Sequence, residues 1–137
     1  MKRTKDGFTL LEIMIVVSII AVLLSLAIYK LKGNLETAKT VGVQSDIQSI
    51  STQLKTYESL NGFMPTTEQG LQALVQRPGS DPQPSRWTQF FESIPKDPWH
   101  NDYLYFNPGR KNPNSYDLYS AGPDRKPDTA DDDWGGK

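Results

Sequence analysis

Residues 8–29, FTLLEIMIVVSIIAVLLSLAIY, decide how this 137-residue chain is organised. Of these 22 residues 18 are apolar. At 1.5 Å per residue such a helix is roughly 33 Å long, which is enough to cross the hydrocarbon core of a bilayer. The stretch is too long for the apolar part of a secretory signal peptide, and no small-residue cleavage site follows it. It predicts a membrane-spanning helix.

Charged residues around this stretch set its expected orientation. Because Lys2, Arg3 and Lys5 precede it, the positive-inside rule places the N-terminus in the cytoplasm and the bulk of the chain on the opposite side. Glu12 lies within the apolar stretch, where a carboxylate costs on the order of 2.5 to 3.5 kcal/mol at mid-helix. Composition alone leaves two interpretations of Glu12 open. Its side chain reaches the membrane interface, or its charge is kept for a partner.

The composition excludes several classes of function. The chain has no cysteine, which rules out a disulfide, a thiol nucleophile and a Cys-ligated metal site. Its single histidine, His100, is expected to be a surface turn residue. The net charge of −1 gives no basic field for nucleic acid, and no P-loop motif is present. We therefore predict a non-enzymatic protein that does not bind nucleic acid.

An apolar stripe continues beyond the membrane segment with helical spacing. Its members, spaced 4, 3, 4 and 3 residues apart, are Val43, Ile47, Ile50, Leu54 and Tyr57. All ten prolines lie beyond residue 64, and the pair Asn61-Gly62 is a helix stop signal. These features predict one long helix that starts at residue 8 and ends near residue 61.

The second half of the chain is rich in turns and contains short ordered segments. Residues 66–75 predict a short helix with Thr66 and Gln69 as a capping box. Residues 103–106 and 116–119 alternate as antiparallel strands do. The sequence therefore predicts an α+β fold in which a long helix packs on a small antiparallel sheet.

The N-terminal sequence KDGFTLLE, residues 5–12, resembles the processing site of type IV pilins and pseudopilins. The resemblance implies that a prepilin peptidase cuts after Gly7 and methylates the new N-terminus, Phe8. It also implies that Glu12 meets the N-terminal amine of a neighbouring subunit during assembly into a helical filament. Each charge is costly in lipid and is neutralised by the other. Tyr29 stands where this family commonly has a proline.

Three further segments narrow the resemblance: residues 64–74 (MPTTEQGLQAL), 95–109 (PKDPWHNDYLYFNPG) and 117–133 (DLYSAGPDRKPDTADDD). Together they resemble the major pseudopilins of type II secretion systems, the general secretion pathway protein G family. The resemblance implies a structural subunit that polymerises into a periplasmic pseudopilus and drives folded proteins through an outer-membrane secretin. It implies as partners an inner-membrane assembly platform with its ATPase, and minor pseudopilins.

The resulting domain prediction has three parts. Residues 1–7 form a cytoplasmic leader, and residues 8–29 a transmembrane and assembly helix of the inner membrane. Residues 30–137 form a periplasmic globular domain. Within that domain the helix continues over residues 30–61, and residues 62–137 hold the short helix, the strands and a C-terminal metal-binding loop.

This C-terminal loop contains five aspartates within ten residues: Asp124, Asp128, Asp131, Asp132 and Asp133. Such clusters are more often solvated tails than metal sites, and this one lacks the EF-hand spacing. The family resemblance implies that the loop binds one Ca²⁺.

The resemblance assigns the ligands residue by residue. It gives the carboxylates of Asp124, Asp131 and Asp132, with the backbone carbonyls of Ala121 and Thr129. Asp128 and Asp133 are expected to lie outside the coordination shell. The adjacent cations Arg125 and Lys126 should weaken calcium binding unless they point outward.

Two other functions compete with the pseudopilin interpretation. One is a type IV pilin of a surface fibre for adhesion, motility or DNA uptake, although most such pilins fasten their C-terminal region with a disulfide that this chain lacks. The other is a membrane-anchored periplasmic binding domain, which leaves the register of Gly7, Phe8 and Glu12 unexplained.

Overall fold

The computed structural model describes residues 7–136. Its elements in chain order are α1 (Leu10–Asn61), a 3₁₀-helix (Leu71–Leu74), β1 (Leu104–Phe106) and β2 (Asp117–Tyr119). The chain divides between Ala38 and Lys39 into two compact units. The basic residues Lys2, Arg3 and Lys5 and most of the predicted leader lie outside the described residues.

The first unit consists of the N-terminal part of α1. Thr9 caps the helix, because its hydroxyl accepts a hydrogen bond from the Glu12 backbone N–H at 3.2 Å. The helix continues through Tyr29 without interruption. Two hydroxyls inside the apolar stretch, those of Ser18 and Ser25, donate to carbonyls one turn earlier on the same helix.

Large apolar side chains of this unit point away from their own chain. Phe8 is 79% exposed and Leu10 is 81% exposed, and every large hydrophobic residue recorded between them and Leu35 is at least 47% exposed. The helix has an apolar window with a mean hydropathy of 2.8, so its length and composition are sufficient to cross a membrane. An apolar surface of this extent needs lipid or other subunits to cover it.

The second unit contains the hydrophobic core. All five residues of the predicted helical stripe, Val43, Ile47, Ile50, Leu54 and Tyr57, are buried, which confirms the periodicity. They pack with Leu71, Leu74, Tyr105 and Leu118 from the 3₁₀-helix and the sheet. Gly62 ends α1 as predicted, with φ +80° and its N–H donating to the Glu58 carbonyl at 2.7 Å.

The strands β1 and β2 pair in an antiparallel hairpin, with Tyr105 opposite Leu118. Each strand is one residue shorter than predicted, since Tyr103 and Tyr116 lie just outside the ladder. The prediction of a long helix and a small antiparallel sheet is confirmed.

The helix predicted over residues 66–75 is shorter in the structure. The capping-box pair forms, since Gln69 N–H donates to Thr66 Oγ1 and Thr66 N–H donates to Gln69 Oε1, both at 3.2 Å. Gly70 then adopts φ +58°, which lies outside the α-helical region and stops the helix. Only a single 3₁₀ segment, Leu71–Leu74, follows.

A buried carboxylate, Asp117, organises the turn that joins the two strands. It accepts hydrogen bonds from the backbone N–H groups of Arg110, Lys111 and Asn112 at 2.6, 2.8 and 3.1 Å, and from the Asn112 amide at 2.9 Å. Gly109 is required beside it, because a Cβ there would lie 2.6 Å from Asp117 Oδ1. Burial favours the neutral acid, but these four donors outweigh it and hold the pKa of Asp117 below its usual value.

We expect Asp117→Asn to lower the free energy of unfolding by about 2 to 3 kcal/mol at pH 7, since bonds to a charged acceptor are lost. Because the folded-state pKa is lowered, this contribution is present above the unfolded-state pKa of about 3.8 and is lost as pH falls through the folded-state value. The difference between variant and wild type should therefore shrink below about pH 3.8. Urea denaturation of the full chain in detergent micelles measures it.

Asp102→Asn is the matched control for this experiment. Asp102 is paired with Lys96 at 3.0 Å, but both side chains are exposed, so its removal should change stability by less than about 1 kcal/mol. Equal losses in the two variants would contradict the role assigned to Asp117.

Candidate functional site

The predicted processing site lies immediately before α1. Gly7 and Phe8 are exposed and non-helical, and the space beside Gly7 is open for at least 4 Å. Exposed chain without regular structure is where proteases act most readily. The bond between the two residues is therefore accessible for cleavage.

Glu12 lies in the first turn of α1, where a negative charge is favoured by the helix dipole. Its neighbours Leu11 and Ile13 are exposed apolar residues. Within residues 7–136 the Glu12 carboxylate has no cationic partner in its own chain. A charged carboxylate in such surroundings is costly once the helix is in lipid, and a cation from another subunit would offset that cost.

Sequence reasoning missed one role at this site. Thr9 and Glu12 form the Thr-x-x-Glu pattern of a helix start, and the structure contains one of the two hydrogen bonds of that motif. The role added by the structure is that of Thr9 as the N-cap, because this bond uses the Glu12 backbone N–H and not the Glu12 carboxylate. The spacing of the two residues was sufficient to find this.

The C-terminal loop is closed at its base by a β-bridge between Ser120 and Asp133. The two residues exchange backbone hydrogen bonds of 2.9 and 3.0 Å. Beyond the bridge, the Trp134 ring stacks on Tyr119 with 4.2 Å between centroids, and Lys111 Nζ lies 3.9 Å from the Trp134 centroid. These contacts close the loop without a disulfide, which the cysteine-free chain cannot form. Sequence reasoning did not find these contacts.

The three predicted carboxylate ligands all belong to this loop, and each takes part in hydrogen bonds within it. Asp131 accepts hydrogen bonds from the Thr129 hydroxyl at 2.6 Å and from the Asp124 backbone N–H at 3.2 Å. These bonds, that of Thr129 above all, lower the pKa of Asp131. Asp132 Oδ2 accepts from the backbone N–H groups of Asp128 and Thr129 at 2.9 and 3.2 Å. The loop is therefore folded around its carboxylates.

One buried side-chain oxygen among the described residues of the loop has no hydrogen-bond donor. Asp132 Oδ1 is buried from solvent and unpartnered, which is costly for a carboxylate oxygen. Within residues 7–136 no three acidic side chains converge closely enough to hold a metal ion between them. The oxygen atoms of the loop nevertheless suit Ca²⁺, which prefers carboxylate and carbonyl ligands. A cation would also give the unpaired Asp132 Oδ1 a partner.

The other two aspartates of the loop are engaged elsewhere. Asp128 Oδ2 lies 3.6 Å from Arg110 Nη1, and Asp133 Oδ1 accepts from the Gly135 N–H at 2.9 Å. That these two residues lie outside a coordination shell stays a prediction.

The structure also places two residues that the sequence analysis singled out, Arg125 and His100. Arg125 has φ +61°, and its guanidinium donates to the Trp99 carbonyl at 3.4 Å. Its side chain is thus held by residue 99. His100 is an exposed residue with φ +67°, which confirms it as a surface turn residue. Both conformations are ones that glycine adopts without strain.

Comparisons with known proteins agree along nearly the whole chain. The family model "Type II secretion system (T2SS), protein G" matches residues 30–134, and that of the prokaryotic N-terminal methylation motif matches residues 2–28. Type II secretion system core protein G of Dickeya chrysanthemi is 45% identical over 134 residues, covering 96% of this chain and 86% of that protein. The Escherichia coli K12 protein of the same name is 44% identical over 133 residues, covering 94% and 90%.

A solved structure is similar as well. The crystal structure of the major pseudopilin from the type 2 secretion system of enterohaemorrhagic Escherichia coli aligns with a TM-score of 0.67 at 40% identity. The alignment covers 74% of this chain and 85% of that one.

Proposed function

Because this chain belongs to the type II secretion system protein G family and is a structural subunit of the pseudopilus, we propose that it is a non-enzymatic, methylated filament subunit. In this proposal prepilin peptidase cuts between Gly7 and Phe8 and methylates Phe8. Residues 8–29 then anchor the subunit in the inner membrane with residues 30–137 in the periplasm. Subunits polymerise into a helical filament that drives folded proteins through the outer-membrane secretin.

The observation that carries this proposal is the position of Glu12. Glu12 is an acid without a cationic partner among residues 7–136, it lies on an exposed apolar helix, and the match to the methylation motif covers it at residues 2–28. The helix surface requires a cover, and the acid requires a cation. Neighbouring copies of the same helix, each with a new ammonium at Phe8, provide both.

Energy for assembly has to come from elsewhere, since the chain has no nucleotide-binding motif. We assign it to a cytoplasmic ATPase acting through an inner-membrane platform, with minor pseudopilins at the filament tip. No observation favours the alternative of a surface fibre for adhesion, motility or DNA uptake.

The C-terminal loop is proposed to bind one Ca²⁺ per subunit. Asp124, Asp131 and Asp132 would hold the ion through their carboxylates, and Ala121 and Thr129 through their backbone carbonyls. The buried, unpaired Oδ1 of Asp132 supports this assignment. When bound, the ion supplies positive charge that offsets the clustered aspartates. The loop would then be fastened at both the ion and the Ser120–Asp133 bridge.

Deletion of the gene followed by complementation tests the proposed function. We expect loss of exoprotein release in the deletion strain and full recovery with the wild-type chain. Mass spectrometry of the purified subunit should give an N-terminus at Phe8 carrying one additional methyl group. A mature chain that still begins at Met1, or normal secretion without the gene, would contradict the proposal.

A further inference from the structure

A second buried carboxylate, Asp97, lies outside the site described so far. Its side chain is 2% exposed. Oδ1 accepts hydrogen bonds from the backbone N–H groups of Trp99 and Asn101 at 3.0 and 2.7 Å. Oδ2 accepts from the Asn101 amide at 3.1 Å and from the Ser120 hydroxyl at 2.5 Å. These four donors fill a carboxylate's usual acceptor capacity, so Asp97 has no site left for a ligand of its own.

The partners of Asp97 hold the backbone of the C-terminal loop at Gly122. The Ser120 hydroxyl accepts from the Gly122 N–H at 3.0 Å, and the Asn101 amide donates to the Gly122 carbonyl at 3.1 Å. Because the Ser120 hydroxyl donates its hydrogen bond to Asp97, its oxygen is oriented to accept one from the Gly122 N–H. Both backbone polar groups of Gly122 are therefore fixed by side chains that Asp97 orients.

A shift of the Gly122 backbone would displace proposed calcium ligands that lie next to it. Gly122 has φ +66°, and a Cβ there would collide with the carbonyl and carboxylate of Asp131. It directly follows Ala121 and lies two residues before Asp124. Two of the five proposed calcium ligands, Ala121 and Asp131, are thus adjacent in sequence to Gly122 or in contact with it, and a third, Asp124, lies two residues further along.

We propose that Asp97 is a positioning residue for the calcium loop, acting through Ser120 and Asn101 on Gly122. This inference rests on the proposed calcium function of the loop. Groups that orient metal ligands without touching the metal typically change its affinity by 10 to 100-fold when they are removed. The 97–101 turn, which is remote in sequence from the loop, then presets the site before calcium arrives.

Calcium titration calorimetry on the full chain in detergent micelles tests the inference. We expect Asp97→Asn to weaken calcium binding by about 10 to 100-fold, since the acceptor for the Ser120 hydroxyl is impaired. Asp117→Asn is the matched control, because Asp117 is an equally buried carboxylate with four donors that does not touch Gly122. Asp117→Asn should lower the free energy of unfolding measured in the absence of calcium, and it should leave the calcium Kd within about threefold of wild type.

A milder variant keeps the test decisive if Asp97→Asn does not fold. Asn101→Ala removes the amide bonds to the Gly122 carbonyl and to Asp97 Oδ2, and it leaves the Asp97 bond to Ser120 in place. It should raise the calcium Kd by more than about threefold.

The outcomes separate the two proposals. Wild-type protein that does not bind calcium would reject the calcium site itself and this inference with it. Wild-type protein that binds calcium while Asp97→Asn and Asn101→Ala bind it equally well would overturn the inference alone. Equal weakening by Asp117→Asn would also overturn it, since the effect would then be one of general destabilisation.

Discussion

Glu12→Ala is expected to abolish or strongly reduce filament assembly while leaving the subunit in the membrane. The substitution removes an acid from an exposed apolar helix, so insertion into lipid becomes easier. In the filament, however, the ammonium at Phe8 of a neighbouring subunit loses its counter-charge. Breaking a buried ion pair by removing one partner costs about 3 to 5 kcal/mol.

The size of this loss explains why the effect should be nearly complete. About 3 kcal/mol corresponds to a factor of roughly 100 in an association constant, and every subunit contact in the filament repeats it. Membrane fractionation should find the variant in the inner membrane, and immunoelectron microscopy of opened cells should find few or no periplasmic filaments, in contrast to wild type.

Ser18→Ala is the control variant on the same helix. The Ser18 hydroxyl donates to the Met14 carbonyl of its own chain, and its removal changes no charge on the helix. This variant should assemble normally. Filaments of Glu12→Ala at the wild-type level would show that the Glu12 charge has no role in assembly.

If the loop binds calcium as proposed, Asp132→Asn is expected to remove most of the stabilisation that the ion gives to residues 30–137. At a free calcium concentration of 100 times the Kd, binding stabilises the wild-type fold by about 2.7 kcal/mol. If the loss of the charged ligand weakens binding 100-fold, the same calcium concentration contributes only about 0.4 kcal/mol. Thermal unfolding of the full chain in micelles, with calcium and with chelator, measures both quantities.

Asp128→Asn is the matched control for the calcium experiment. It makes the same charge change in the same loop, but the Asp128 side chain faces Arg110 and is not a proposed ligand. Its calcium response should equal that of wild type. Identical responses of the two variants, or a wild-type melting temperature that does not respond to calcium, would reject the ligand assignment.

Local patterns predicted the helical half of the molecule. The spacing of Val43, Ile47, Ile50, Leu54 and Tyr57 identified the buried face of α1, because side chains three and four residues apart share one side of a helix. Asn61-Gly62 marked its end through the conformational freedom of glycine. The hairpin was also visible, since its two strands are separated by a single turn-rich connection.

Long-range contacts account for what the sequence did not reveal. The bond from Asn101 to Gly122 joins residues 21 apart, and that from Ser120 to Asp97 joins residues 23 apart. No periodicity links such positions. The 3₁₀-helix was also missed, because residues 66–75 carry a valid capping box and the positive φ of Gly70 follows from the backbone path rather than from a pattern.

The sequence by itself determined that this protein has a proline-free helix with an apolar first part, an acid at Glu12, and a cysteine-free head with clustered aspartates. These are properties of residue type and spacing, which the chain carries before it folds. Only the tertiary structure decided how the head is closed, through the Ser120–Asp133 bridge and the Trp134–Tyr119 stack. It also decided which carboxylates accept the hydrogen bonds that hold the fold, as Asp97 and Asp117 do, and which buried carboxylate oxygen among the described residues, Asp132 Oδ1, has no donor. Hydrogen-bond partners that are distant in sequence meet only when the core has packed. The sequence therefore showed how many aspartates there are, but not which of them are structural and which have a free oxygen.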